Sequence, residues 1–145
     1  MVRRAHGRLT RALRDALAEY GLGIGEFQVL RALYSADGLS QSEVSEIIEV
    51  EKGALTKLFY SMEVDGYIRR PRDAGDSRRR NIFLAPRGEA LRAPVLAVTR
   101  AVNDVACRGI PPKDVETMMR VLDQITLNVD SIQTHGEHNG SRNRR

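Results

Sequence analysis

The chain has 145 residues, 41% apolar and 29% charged, and carries 23 lysines and arginines against 19 acidic residues, a formal charge of +4. That length suits one domain or one small domain with a helical extension, and its lean apolar fraction suits a core completed by pairing with a second copy. No apolar run approaches the ~20 residues of a membrane span, Arg3 and Arg4 lead into polar sequence unlike a secretory leader, and the lone Cys107 excludes an internal disulfide or a cysteine-rich zinc site. A cytoplasmic protein with no membrane partner and an acidic ligand is expected.

From Arg3 to Tyr20, Leu9, Leu13, Ala16, Leu17 and Tyr20 fall at helical spacing with arginines on the other face. Gly21, Gly23 and Gly25 end that helix. A second helix over 25–36 is expected to bury Phe27, Leu30, Leu33 and Tyr34, before a turn at Asp37-Gly38. Ser40 then reads as an N-cap, with Glu43 completing a capping box. The third helix is expected to bury Val44, Ile47 and Ile48. A fourth, from about Lys52 to Val64, would bury Leu55, Leu58, Phe59 and Met62 and stop at Asp65-Gly66. Two helices so short, joined by so few residues, cross steeply as a helix-turn-helix does.

Tyr67–Arg70 and Asn81–Leu84 read as strands of a hairpin with Gly75 at its tip and Ile68, Ile82 and Leu84 facing the helices. The arginines of the hairpin are expected to face solvent or phosphate. A long helix follows from Pro86 to about Arg108, bent by Pro94, and Gly109 with Pro111-Pro112 ends it. The last helix starts near Lys113, where Val115, Met118, Leu122, Ile125, Val129 and Ile132 alternate by three and four, a heptad seam. From Thr134 the sequence is nearly devoid of apolar residues, and 134–145 is expected to be a disordered tail. The fold class is mainly α with a small β-hairpin. A winged helix-turn-helix domain over 25–85 is joined to terminal helices, 1–24 and 86–133, that form a dimerisation region.

Charge is concentrated in one place. Between Tyr67 and Arg80 six arginines face two aspartates, a surplus equal to the net charge of the whole chain. Adjacent arginines repel unless a polyanion sits between them, and this cluster lies next to the fourth helix in sequence. That is the charge arrangement of a duplex-DNA reader. The fourth helix would present Lys52, Gly53, Ala54, Thr56, Lys57 and, one turn on, Tyr60 to the major groove, the two small residues allowing close approach. In the hairpin, Arg72, Arg78, Arg79 and Arg80 are the phosphate and minor-groove candidates, with Asp76 placed to orient the guanidinium of Arg78.

GIGEFQVLRAL at the second helix, GLSQSEVSEII at the third, VEKGALTKLFYSMEVDGYIRR at the fourth and DAGDSRRRNIFLAPRGEAL through the hairpin together resemble the MarR family of winged helix-turn-helix regulators, over about Leu9 to Leu127. The resemblance implies a homodimer built by the terminal helices, a pseudo-palindromic operator and release by a small ligand. It carries the wing aspartate and arginine onto Asp76 and Arg78, and the recognition face onto Lys52 through Lys57. Three residues depart from the family pattern. Glu51 replaces a capping Ser or Thr, Glu49 adds negative charge to the turn, and Ala85 stands where Thr usually precedes the proline.

The expected function is therefore sequence-specific DNA binding by a homodimeric repressor that a small, aromatic or anionic, effector releases. Its dimer interface would include Leu9, Leu13, Val115, Met118, Leu122, Ile125 and Val129, and His6 with Arg14 is the candidate ligand pocket. The rivals are an architectural DNA-coating protein and a thiol-based redox regulator acting through Cys107. An enzyme is not expected: the chain has no Gly-rich phosphate loop, no His or Cys cluster and no nucleophile–base set. No cofactor and no metal is implied.

Overall fold

A computed structural model describes residues 2–71 and 81–139. In chain order these form α1 (Val2–Ala18), α2 (Ile24–Ser35), β1 (Leu39–Ser40), α3 (Gln41–Ile48), α4 (Lys52–Val64), β2 (Ile68–Arg69), β3 (Asn81–Leu84), α5 (Pro86–Ala90), α6 (Arg92–Ala106) and α7 (Pro112–Asn139). Contacts divide the chain into two units, residues 1–106 and 107–145.

In the first unit, helix ends are set by left-handed residues that return the chain to the core. Gly21 (φ 70°) closes α1, with Gly21 N donating to Ala18 O and Leu22 N to Leu17 O, and Leu17 and Leu22 are buried as a result. Gly66 (φ 76°) does the same for α4: Gly66 N donates to Glu63 O and Tyr67 N to Met62 O, which turns Tyr67 inward and starts β2. The core joins Leu17, Phe27, Leu30, Leu33, Val44, Leu55, Phe59, Met62, Ile68, Ile82 and Val95. Tyr34 and Leu58 pack at its edge, half-buried. Ile47 differs from expectation. It is 50% exposed, because α3 is only two turns long and its buried stripe is filled by Val44 and Ile48.

The sheet has three strands in the order β1-β3-β2, both pairs antiparallel, with Leu39 opposite Ile82 and Ile68 opposite Leu84. The hairpin arms β2 and β3 were expected; β1 was not. It is held by Gly38 N donating to Ile82 O, and beside it the Asp37 carboxylate accepts Leu84 N at 2.8 Å.

The expected single helix from Pro86 is two. Pro94 has no N–H to donate to Ala90 O, so regular bonding fails at Leu91, and α6 begins with the proline in its first turn, where no donor is needed. The break thus precedes the proline instead of bending a continuous helix. Short α5 lies tight against β2: a Cβ on Gly88 would sit 2.1 Å from Tyr67 O.

The second unit is dominated by α7, 28 residues long. Its residues from Glu116 to Ser131 are all exposed, including Met118 (45%), Leu122 (42%), Ile125 (52%) and Val129 (48%). The helix continues to Asn139, past the point near Thr134 where the apolar residues run out.

Candidate nucleic-acid interface

The helix-turn-helix is built from α3 and α4. Ser40 Oγ accepts Glu43 N at 3.2 Å and Glu43 Oε2 accepts Ser40 N at 2.7 Å, a reciprocal cap that fixes where α3 starts. The turn is closed by Glu49, the sole non-glycine with positive φ (55°) among the described residues, with Val50 N bonded to Ser45 O and Ser45 Oγ donating to Val50 O at 2.6 Å. Glu51 occupies the N-cap position of α4 without a side-chain cap. Support for that end comes instead from α3: Gln41 Nε2 donates to Lys52 O at 3.1 Å and to Thr56 Oγ1 at 3.4 Å.

Leu55, Phe59 and Met62 bury one face of α4, and Lys52, Gly53, Ala54, Thr56, Lys57 and Tyr60 are all exposed on the rest, Tyr60 to 66%. The proposed recognition residues are thus brought to one surface. Thr56 is less free than its exposure suggests, since its hydroxyl donates to Lys52 O and accepts from Gln41. Gly53 is the informative position. Among the described residues a Cβ there would meet nothing within 4 Å, so none of their contacts requires glycine, although it weakens a helix by about 1 kcal/mol against alanine.

Of the wing residues, Arg72, Asp76, Arg78, Arg79 and Arg80 lie outside the described residues. The hairpin's first two arginines are described, and they diverge. Arg69 is exposed and stacks on Phe83, 4.8 Å from the ring centre. Arg70 turns inward, contrary to the expectation that the hairpin arginines face solvent or phosphate: its guanidinium pairs with Glu63 at 2.7 Å and its side chain is 13% exposed.

Two further arginines hold this unit to α5 and α6. Arg87 stacks on Tyr67 at 4.6 Å and donates to Asp65 O, at the carbonyl end of α4. Arg92 stacks on Tyr34 at 4.7 Å, donates to Tyr34 O and forms a two-bond pair with Glu89, whose carboxyl it holds below the usual value. Tyr34 OH donates to Gly88 O at 2.8 Å, and burial pushes its phenol up to about 12, against the opposing pull of Arg92. Sequence reading missed Gln41, Glu63, Arg87 and Arg92. Most of their partners are distant in sequence or are backbone carbonyls, which leave no local pattern; the Arg92–Glu89 pair, three residues apart, was the local signal that could have been read.

On α1, His6 and Arg14 are both exposed; neither lines the depression of about 600 Å3 bounded by Arg3, Arg4, Arg8, Arg11 and Asp15. An apolar groove of about 320 Å3 runs between α1 and α6, lined by Ala12, Ala16, Val98, Ala101, Val102 and Val105. Leu9 is 42% exposed and Leu13 packs against the core edge. Cys107 is half-buried. No helix among the described residues is long and apolar enough to cross a membrane.

Residues 20–79 match the model of the MarR family. The HTH-type transcriptional regulator TtmR of Methylorubrum extorquens (strain PA1) is 37% identical over 93 residues, which are 64% of this chain and 48% of TtmR. The chain therefore spans about half the length of that relative. A MarR transcriptional regulator from Methanosarcina mazei Go1 is similar in structure, with a TM-score of 0.81 at 21% identity over 90% of this chain and 94% of that one. A mutant MarR from E. coli complexed with operator DNA gives a TM-score of 0.79 at 18% identity, covering 86% of this chain and 89% of that one.

Proposed function

We propose that this chain, a member of the MarR family, is a DNA-binding transcription regulator that acts as a homodimeric repressor. The observation that carries the proposal is the outer face of α4. Lys52 and Lys57 flank Gly53 and Ala54 on an exposed surface, and the space at Gly53, open among the described residues, lets a helix approach base edges closely. The E. coli MarR mutant of the same fold is complexed with operator DNA, which supports the same use of this surface here. Arg72, Asp76, Arg78, Arg79 and Arg80 would add phosphate and minor-groove contacts beside it.

The apolar seam of α7, with Val115, Met118, Leu122, Ile125 and Val129, supports dimerisation, as does exposed Leu9. Full burial of a side chain of that size is worth about 1.5–3 kcal/mol; these are already about half covered, so the seam must act through many residues of both chains to offset the cost of association. Two-fold pairing would set two recognition helices about one DNA turn, ~34 Å, apart. The release signal is a small aromatic or anionic molecule acting at α1, where His6 and Arg14 are exposed and Arg3, Arg4, Arg8 and Arg11 offer positive charge.

The test is selection of duplexes from a random library, followed by binding at matched salt. A selected inverted repeat preferred over a scrambled duplex by ~10³ or more is expected. Equal affinity for both would leave an architectural DNA-coating protein instead.

A further inference from the structure

The arginine-rich segment leaves β2 through Arg70 and Pro71, and at that point three constraints coincide. Glu63, in the last turn of α4, spends both carboxylate oxygens on one residue. Its Oε1 accepts Arg70 N at 3.1 Å, and its Oε2 accepts Arg70 Nε at 3.1 Å and Nη2 at 2.7 Å. The Glu63 carbonyl accepts Gly66 N in the turn between them, so the seven-residue span is closed at both ends. Pro71 fixes its own φ and confines Arg70 before it to extended backbone. An exposed ion pair contributes little. This pair is partly sheltered, with Arg70 13% and Glu63 37% exposed; two guanidinium nitrogens share Oε2, and Oε1 takes a third bond from a main-chain amide.

We propose that Glu63 and Arg70 form a positioning clasp that fixes the end of β2 against the last turn of the recognition helix, at the point where the chain enters its arginine-rich sequence. Glu63 is then required for operator affinity although it is an acid beside a DNA-binding surface, and Arg70 acts through the clasp and not on phosphate. The inference rests on the DNA-binding reading above, and it predicts a sign opposite to that of charge alone. By charge, Glu63→Gln removes a negative group and frees a cation. Binding should then tighten, and the slope of log K against log salt should steepen by about 0.9 for the added phosphate contact. By the clasp, the same change loosens the end of β2 from α4 and weakens binding.

The experiment uses the full chain, the best duplex selected from a random library, and a scrambled duplex of equal composition. Glu63→Gln is expected to lose about tenfold or more on the selected duplex, the scale of losing hydrogen bonds to a charged group. On the scrambled duplex it should change by less than about threefold, and the salt slope should not steepen. Arg70→Lys keeps the charge but loses the two-pronged geometry, and is expected to lose about fivefold with the salt slope unchanged, since lysine still offers phosphate a point charge. The exchange Glu63→Arg with Arg70→Glu should regain much of the loss. Tighter binding by Glu63→Gln, a slope steepened by about one, or full affinity in Arg70→Lys each overturns the clasp while leaving the regulator reading intact. A wild-type chain that does not distinguish the two duplexes overturns both.

Discussion

Helices α4 and α7 both expose much of their surface, but they do so in different ways. Helix α4 buries Leu55, Phe59 and Met62 within its own chain and shows lysines, glycine, alanine and threonine outside. Helix α7 carries a similar set of large apolar residues, yet Met118, Leu122, Ile125 and Val129 are each more than 40% exposed. An outward face of small and cationic residues is stable in water and ready for a polyanion. An outward stripe of methionine, leucine, isoleucine and valine at heptad spacing is costly in water and suited to packing on another apolar surface. Helix α4 covers its apolar face within its own chain, whereas α7 leaves its apolar stripe in solvent.

Changes on the two helices should therefore fail differently. The largest effect is expected from Leu122→Glu, which should yield monomers in light scattering and weaken operator binding by about 100-fold or more through lost two-site engagement. A dimer of normal mass would refute the seam. Phe59→Ala should lower stability by about 3–5 kcal/mol, seen as an earlier denaturant midpoint. Because that defect lies inside one chain, the loss relative to wild type should be the same at every protein concentration. Lys57→Ala should leave the melting temperature nearly unchanged and flatten the salt slope by about 0.9 on every duplex, as a phosphate contact does. A loss confined to one sequence would make Lys57 a base reader instead.

The junction between α2 and α5 behaves like the inner face of α4, satisfied within the chain. The Tyr34 phenol lies above its ordinary value of 10, at about 12. The folded state therefore holds that proton more tightly than the unfolded one. Its contribution is complete below pH 10 and is lost as pH rises toward 12. Tyr34→Phe should flatten that alkaline decline, and an unchanged profile from pH 9 to 12 would remove Tyr34 as its cause. The smallest effect belongs to Glu49, a side chain held in the left-handed region. Glu49→Gly should relieve about 0.5–1 kcal/mol of strain and move the denaturant midpoint upward.

What the sequence disclosed depended on whether the cause was local. The start of α3 and the end of α4 were legible because the capping signal at Ser40 and the turn at Gly66 act within a few residues. The two-residue strand β1 was not, since Leu39 and Ser40 become a strand only by pairing with Ile82 and Asn81. The interruption at Leu91 was half legible: the proline was noted, but a missing donor acts one turn upstream of where it sits. At the interface, the exposed residues of α4 followed from helical spacing, whereas the inward turn of Arg70 did not. Counted in sequence, it was one more positive charge in a cluster; its role depends on Glu63, seven residues away and one turn of chain removed.

The break at Leu91 also bears on how a signal would travel. A continuous rod from Pro86 to Ala106 would pass any push on α6 straight along its axis. With regular bonding broken at Leu91, the first unit instead has a pinned joint, held by Arg92 on α2, while Arg87 on the other side of the joint grips the far end of α4. The joint is braced and not loose: the two-bond Arg92–Glu89 pair spans Leu91, and Arg87 ties α5 to the carbonyl end of α4.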